Sequence, residues 1–313
     1  DEEVGGVNGA LALREMLKSA GLLPDYVING DGFGLAPIVR RRNAFVVTIR
    51  IPRKPVSVKG KLRVKRVEAS IREKESRHAA YFMPGVDTHP MIALAEHLLY
   101  HPDTYVVSIR GAWVKENVVP SWVEAVLVDA GEDAGEDVSA DLNLTRLIRS
   151  LIPLTRAAID TEMHSDFGVT ITPNLYEATD DAHVLKLDVR AMVSERSKVE
   201  SQLSDVLMEV LDDADVNVEG GSGYLYTPSD ARIVAEAAKV LDELGLPVRF
   251  IEACGASDSR FFSPLGVDCI DFGPLGGNVH GPNEYVIVDS LKHAYEFYAR
   301  LIRRLSGKGR RGA

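Results

Sequence analysis

The chain has 313 residues and a formal charge of −10, enough length for two ordinary domains or one large domain with an insertion. Its hydrophobic share of 45% and charged share of 26% are those of a globular protein, and no apolar run approaches the roughly 18 residues that span a bilayer. The acidic balance argues against a nucleic-acid partner, and the two cysteines, Cys254 and Cys269, argue for a reducing, cytoplasmic setting without a disulfide framework.

The first residues, Asp1-Glu2-Glu3, place adjacent carboxylates before a glycine turn at Gly5-Gly6. A helix over 8–20 follows, with Ala10, Leu11, Leu13, Met16 and Leu17 at helical spacing and Gly21 as its stop. No initiator Met precedes this start, so an N-terminal fragment is expected upstream. Tyr26-Val27-Ile28 is a buried strand that delivers Asp31 to its C-terminal mouth, where ligand sites of α/β sheets collect. Arg40-Arg41-Arg42 is expected to be a solvated edge, and Lys308-Gly309-Arg310-Arg311 a frayed tail.

From Ala44 the pattern changes to alternating apolar and polar residues, over 44–51 and 61–67, which marks strands with one solvated face. A helix over 88–100, strands at 104–110 and 122–128, a helix over 143–160, a strand pair within 168–190 and a helix over 197–211 follow. The acidic Gly/Ala stretch 131–143 is expected to be a surface loop. The order fits an α+β domain at 44–216 inserted into an α/β domain made of 1–43 and 217–313. The α/β style resumes with a helix over 229–244, strands at 247–251 and 268–272, and a last helix over 289–306.

Four places carry the residue types of a metal-dependent hydrolase: Glu2-Glu3, Asp31, the loop Gly255-Ala256-Ser257-Asp258-Ser259-Arg260, and the stretch Gly276 to Glu284 with His280. Oxygen and imidazole ligands suit Zn²⁺. Two neighbouring carboxylates can divide the work, one binding an ion while the other moves a proton on water. Taken singly, each acidic residue reads first as a helix cap or a solvated charge. His164-Ser165-Asp166 has the letters of a nucleophilic triad, but adjacent residues do not adopt that geometry and no Gly-x-Ser-x-Gly elbow is present. Cys254 reads as a small core residue, and His89, His97, His101, His164, His183 and His293 as structural or exposed.

These motifs, in this order, together with Ser76-Arg77-His78-Ala79-Ala80 before Pro84-Gly85, Thr172-Pro173-Asn174-Leu175, and Leu185 to Arg190, resemble the dinuclear zinc aminoacylase/carboxypeptidase family. That family includes acetylornithine deacetylase, succinyl-diaminopimelate desuccinylase, aminoacylase and glutamate carboxypeptidase. The resemblance implies a zinc-peptidase-like mixed-sheet catalytic domain lacking its N-terminal part, with an inserted α+β, ferredoxin-like lid or dimerisation domain. It implies hydrolysis of amide bonds in N-acyl amino acids or short peptides with two Zn²⁺ ions, for which Co²⁺ or Mn²⁺ can substitute, in a homodimer formed through the lid.

Carried over by residue, Glu2 resembles the general base. Glu3 and His280 resemble the ligands of one ion, and Asp31 the carboxylate on the other. His78 resembles the lid histidine that reaches across a dimer to the oxyanion. Arg260 resembles the grip on a substrate carboxylate, and Ser257, Asn174 and Arg190 resemble further substrate-binding residues. The family's His-x-Asp motif and bridging aspartate have no counterpart, because the one His-x-Asp here, His101-Pro102-Asp103, lies in the lid region. The alternative reading is a non-catalytic remnant that dimerises or binds a carboxylate ligand.

Overall fold

The computed structural model describes residues 5–72, 77–131, 135–278 and 283–307. The chain forms two compact units: Asp1–Asn43, Glu162–Asp166 and Ser222–Ala313 make the first, and Ala44–Thr161 with Phe167–Gly221 the second. No helix among the described residues is long and apolar enough to cross a membrane.

In the first unit, α1 (Ala12–Ser19) continues a single π-turn, Val7–Leu11, and stops where Gly21 takes φ 67°. Ala10, Leu11 and Leu17 turn inward, whereas Leu13 and Met16 of the same stripe are exposed. β1 (Tyr26–Asn29) pairs in parallel with β13 (Asp268–Asp271). β13 meets β2 (Ile38–Arg41) antiparallel, and β2 also takes β11 (Leu225–Tyr226) antiparallel and β12 (Ile251–Ala253) in parallel, so the sheet is mixed.

β1 is half-buried rather than buried, because among the described residues it ends this sheet with a neighbour on one side. The strand expected at 247–251 begins instead at Ile251, where pairing with β2 starts. Two helices, α5 (Arg232–Glu243) and α6 (Val288–Ser306), cover the sheet with Ile233, Ala237, Val240, Leu241, Phe297 and Leu301. Phe297 stacks on Phe272 at a centroid distance of 3.7 Å.

In the second unit, β3 (Asn43–Pro52), β8 (Thr170–Ala178), β9 (Ala182–Ala191) and β10 (Asp215–Gly220) form a sheet in the order β10-β3-β9-β8. Numbered by appearance this is 4-1-3-2, with helices between the first and second and between the third and fourth, the ferredoxin-like arrangement. The inserted α+β architecture expected from the sequence is therefore present. A second sheet, β5-β6-β4-β7, consists of β5 (Thr104–Gly111), β6 (Trp122–Ala130), the 14-residue β4 (Pro55–Glu68) and β7 (Glu136–Asp141).

β7 corrects the expected surface loop of 131–143 over Glu136–Asp141, while 132–134 of that stretch lie outside the described residues. Pro55 to Gly60 pairs with Asp141 to Glu136, Ala140 and Asp141 are buried, and the acidic side chains of Glu136 and Asp137 lie outward on an edge strand. Charge on an edge discourages pairing with foreign strands, so composition there reported the exposed start of the strand and not the absence of one.

Between the sheets, α2 (Pro90–Tyr100) and α3 (Leu142–Thr155) share one core with both, through Met91, Leu94, Leu98, Leu147, Ile148 and Leu151. Each such side chain contributes about 1.5–3 kcal/mol by leaving water. α2 starts where His89 caps it, Nδ1 accepting from Met91 N–H (3.2 Å), with Pro90 preset for the first turn. α3 starts at Asp141, whose carboxylate accepts from Leu144 N–H (3.0 Å) and lies 3.0 Å from His183 Nε2. α4 (Arg196–Met208) joins the same core through Val199, Leu203 and Leu207.

Candidate functional site

In the first unit, three of the segments picked out from the sequence meet at one end of the sheet. Asp31 follows β1, and its loop is pressed against the end of β13. A Cβ on Gly32 would stand 2.4 Å from the Phe272 carbonyl carbon, and one on Gly273 would stand 1.8 Å from Gly32 O. Only glycine allows this approach. The Gly255 to Arg260 loop follows β12, and the Gly5-Gly6 turn docks on it: Arg260 Nη2 donates to Gly5 O (2.8 Å), and Gly6 could carry no Cβ beside Asp258.

The element that joins these segments is Arg41. Its Nε donates to Asp271 Oδ2 (2.6 Å), Nη1 to Gly255 O (2.9 Å) and Nη2 to Asp31 O (2.5 Å), while the Asp31 carboxylate stands 3.9 Å from Nη2. Asp271 is fully buried and also accepts from Ser259 Oγ (2.5 Å). Burial pushes its carboxyl above the ordinary value, and Arg41 and Ser259 oppose that shift. The expected solvated edge at Arg40-Arg41-Arg42 is thus corrected. Arg41 is 4% exposed and Arg42 0%, because β2 is an interior strand that carries Arg41 toward a buried carboxylate.

Arg260 is buried, with Nε donating to Ser222 Oγ (2.8 Å) and its guanidinium 4.4 Å above the Phe261 ring. Ser257 is fully buried and opens the short helical turn Asp258–Phe261. Glu2, Glu3 and His280 lie outside the described residues. Asp31 is the member of the expected ligand set that lies within them, and its side chain is exposed. Among the described residues no group of three or more His, Cys, Asp or Glu side chains could hold a metal ion. The donor types of the expected set, two carboxylates and an imidazole, suit zinc.

The second unit holds His78, Asn174 and Arg190. His78 precedes the short turn Ala79–Tyr81 and pairs its backbone with Val118. Its Nδ1 accepts from Ala80 N–H (3.0 Å), and its Nε2 faces the side-chain amide of Asn117 at 3.3 Å. The ring also lines a crevice with Ile71, Tyr81, Phe82, Asp87 and Val119.

Asn174 is fully buried. Its Nδ2 donates to Glu116 O (2.7 Å) and Thr172 Oγ1 (3.0 Å), and its Oδ1 meets His89 Nε2 at 3.0 Å. Burial lowers the His89 pKa to about 4, with the Asn174 hydrogen bond opposing. Arg190, buried on β9, makes a two-pronged pair with Asp188 at 2.8 Å on each prong. Sequence reasoning missed Arg41, Asp271, Asn117 and the His89–Asn174 pair. Of these, His89 carried a local signal, since a polar residue directly before a proline that opens an apolar helix marks a cap.

The model of peptidase family M20/M25/M40 matches residues 1–304. The chain is 28% identical over 144 residues to succinyl-diaminopimelate desuccinylase of Sulfurimonas denitrificans, covering 45% of this chain and 37% of that protein. It is 40% identical over 81 residues to the enzyme of that name from Xanthomonas euvesicatoria pv. vesicatoria, covering 26% and 21%. Among solved structures, aminoacylhistidine dipeptidase from Vibrio alginolyticus matches with a TM-score of 0.72 at 13% identity, over 91% of this chain and 66% of that one. A tripeptidase from Staphylococcus aureus matches at 0.55 and 14% identity, over 96% and 62%. These likenesses show the fold. The chain spans less than two thirds of each of these relatives.

Proposed function

The chain belongs to peptidase family M20/M25/M40, and from that premise we propose that it is the part of a metal-dependent amide hydrolase, of deacylase or peptidase type, that acts on N-acyl amino acids or short peptides. What supports the reading is the family match over residues 1–304 together with the meeting of Asp31, the Gly5-Gly6 turn and the Gly255 to Arg260 loop at one sheet end.

In this reading Glu3, Asp31 and His280 hold the metal, Zn²⁺ by donor type, with Co²⁺ or Mn²⁺ as substitutes. The bound ions supply Lewis acidity at the scissile carbonyl. Glu2 takes a proton from the attacking water and returns it to the leaving amine, and His78 donates to the developing oxyanion. Arg260, Ser257, Asn174 and Arg190 shape the substrate site, with Arg41 and Asp271 keeping Asp31 and the Arg260 loop in register. The first compact unit is the catalytic one, and the inserted unit is the lid through which two copies associate in the cytoplasm.

The test is metal content by elemental analysis, read beside turnover of N-acyl amino acids and dipeptides. Glu2→Gln should keep the metal and lose turnover, whereas Asp31→Asn should lower the metal content itself. Undiminished turnover in Glu2→Gln removes the assigned base, and full metal content in Asp31→Asn removes the assigned ligand.

A further inference from the structure

Two contacts among the described residues bear on which nitrogen of His78 carries a proton. Ala80 N–H donates to Nδ1, so in the neutral ring the proton sits on Nε2. Nε2–H then faces Asn117 at 3.3 Å, while Asn117 Oδ1 is buried with no hydrogen-bond partner among the described residues. A donor meeting the amide nitrogen gains nothing. The same amide turned by half a rotation sets Oδ1 against Nε2–H and makes a hydrogen bond.

Asn117 is itself held in place. Its carbonyl accepts from Ala79 N–H (2.8 Å), Val119 N–H donates to Arg77 O (2.9 Å), and His78 bridges to Val118, so the 117–119 backbone is zipped along 77–79. One residue earlier, Glu116 O accepts from Asn174 Nδ2, and Asn174 is fixed in turn by His89. His89 repeats the arrangement: Nδ1 accepts from Met91 N–H, and Nε2 lies 3.0 Å from an amide oxygen.

We propose that Asn117 is a positioning residue that holds His78 as the Nε2–H tautomer, with its own backbone clamped by the buried Asn174–His89 pair. His78 is thereby a hydrogen-bond donor at Nε2, held ready by an amide oxygen that a substrate oxygen can replace, and is not a base at that nitrogen. The use of this proton on a substrate rests on the proposed function; the tautomer and the part played by Asn117 do not.

Long-range ¹H–¹⁵N spectra of the full chain labelled at histidine test this without any turnover, the His78 signals being those lost in His78→Gln. The parent should show Nε2–H with Nδ1 bare. Asn117→Ala should exchange the Nε2 proton with water about tenfold faster, the loss of one modest hydrogen bond, and Asn117→Asp, which keeps an acceptor, should restore slow exchange. Should the alanine variant fail to fold by tryptophan fluorescence, Asn117→Ser takes its place. An Nδ1–H tautomer in the parent, or unchanged exchange in Asn117→Ala, overturns the proposal. Unchanged turnover in His78→Gln alongside the expected tautomer would instead overturn the catalytic use of His78 and leave the assignment of Asn117 standing.

Discussion

Acidification should weaken the second unit through His89, by an amount the structure sets. The ring is buried, and burial depresses its pKa from 6.5 to about 4. The unfolded chain therefore takes up the proton first as pH falls. Stability is complete above pH 6.5 and is lost at about 1.4 kcal/mol per pH unit down to pH 4, about 3 kcal/mol in all, levelling off below. The assay is urea unfolding followed by tryptophan fluorescence, because the chain's two tryptophans, Trp113 and Trp122, both lie in the second unit. Other groups also titrate in this range, so the parent is compared with His89→Gln, which cannot charge. The stability of the parent minus that of the variant should shrink by about 3 kcal/mol between pH 7 and pH 4. Two curves that stay parallel would refute the idea that a neutral buried His89 supports this fold.

Two further outcomes concern the first unit. Asp271→Asn leaves the buried Arg41 guanidinium without its carboxylate and should cost about 3–5 kcal/mol, read as faster amide exchange in β13 and β2; exchange equal to the parent's would show that the pair contributes nothing. Gly273→Ala drives a methyl group into Gly32 O and should destabilise the unit by about 1–3 kcal/mol or more. It should also reduce metal content as Asp31→Asn does, by displacing the loop that carries Asp31. Normal metal content in a folded Gly273→Ala protein would separate that loop from the metal site.

Long periodic elements are legible in the sequence. α2 and α6 follow from their apolar spacing, and β13 from an apolar run bounded by Gly266 and Gly273. The ferredoxin-like insert was anticipated through resemblance, not through periodicity. β2 and β11 are too short to show a period, and β7 is hidden because two consecutive exposed acidic residues, Glu136 and Asp137, dominate its start. Within the site, the Asp31 and Arg260 loops stood out as glycine-rich breaks after strands. The Arg41–Asp271 pair did not, since a buried ion pair is made by two strands far apart in sequence and neither strand alone marks its charge as buried. Asn117 was equally silent, because its meaning depends on a backbone pairing with 77–79 that no local pattern announces.

The first sheet is assembled from both ends of the chain: Tyr26 lies opposite Asp268, and Ile38 opposite Ile251. An unfolded connection of that length would make pairing slow, because loop closure must come before the contacts that reward it. The second unit removes most of this burden once folded, since Gly221 N–H donates to Ala44 O at 2.9 Å and its two ends leave side by side. With its ends joined in this way, the folded insert shortens the effective loop that must close before β1 and β2 meet β13 and β12.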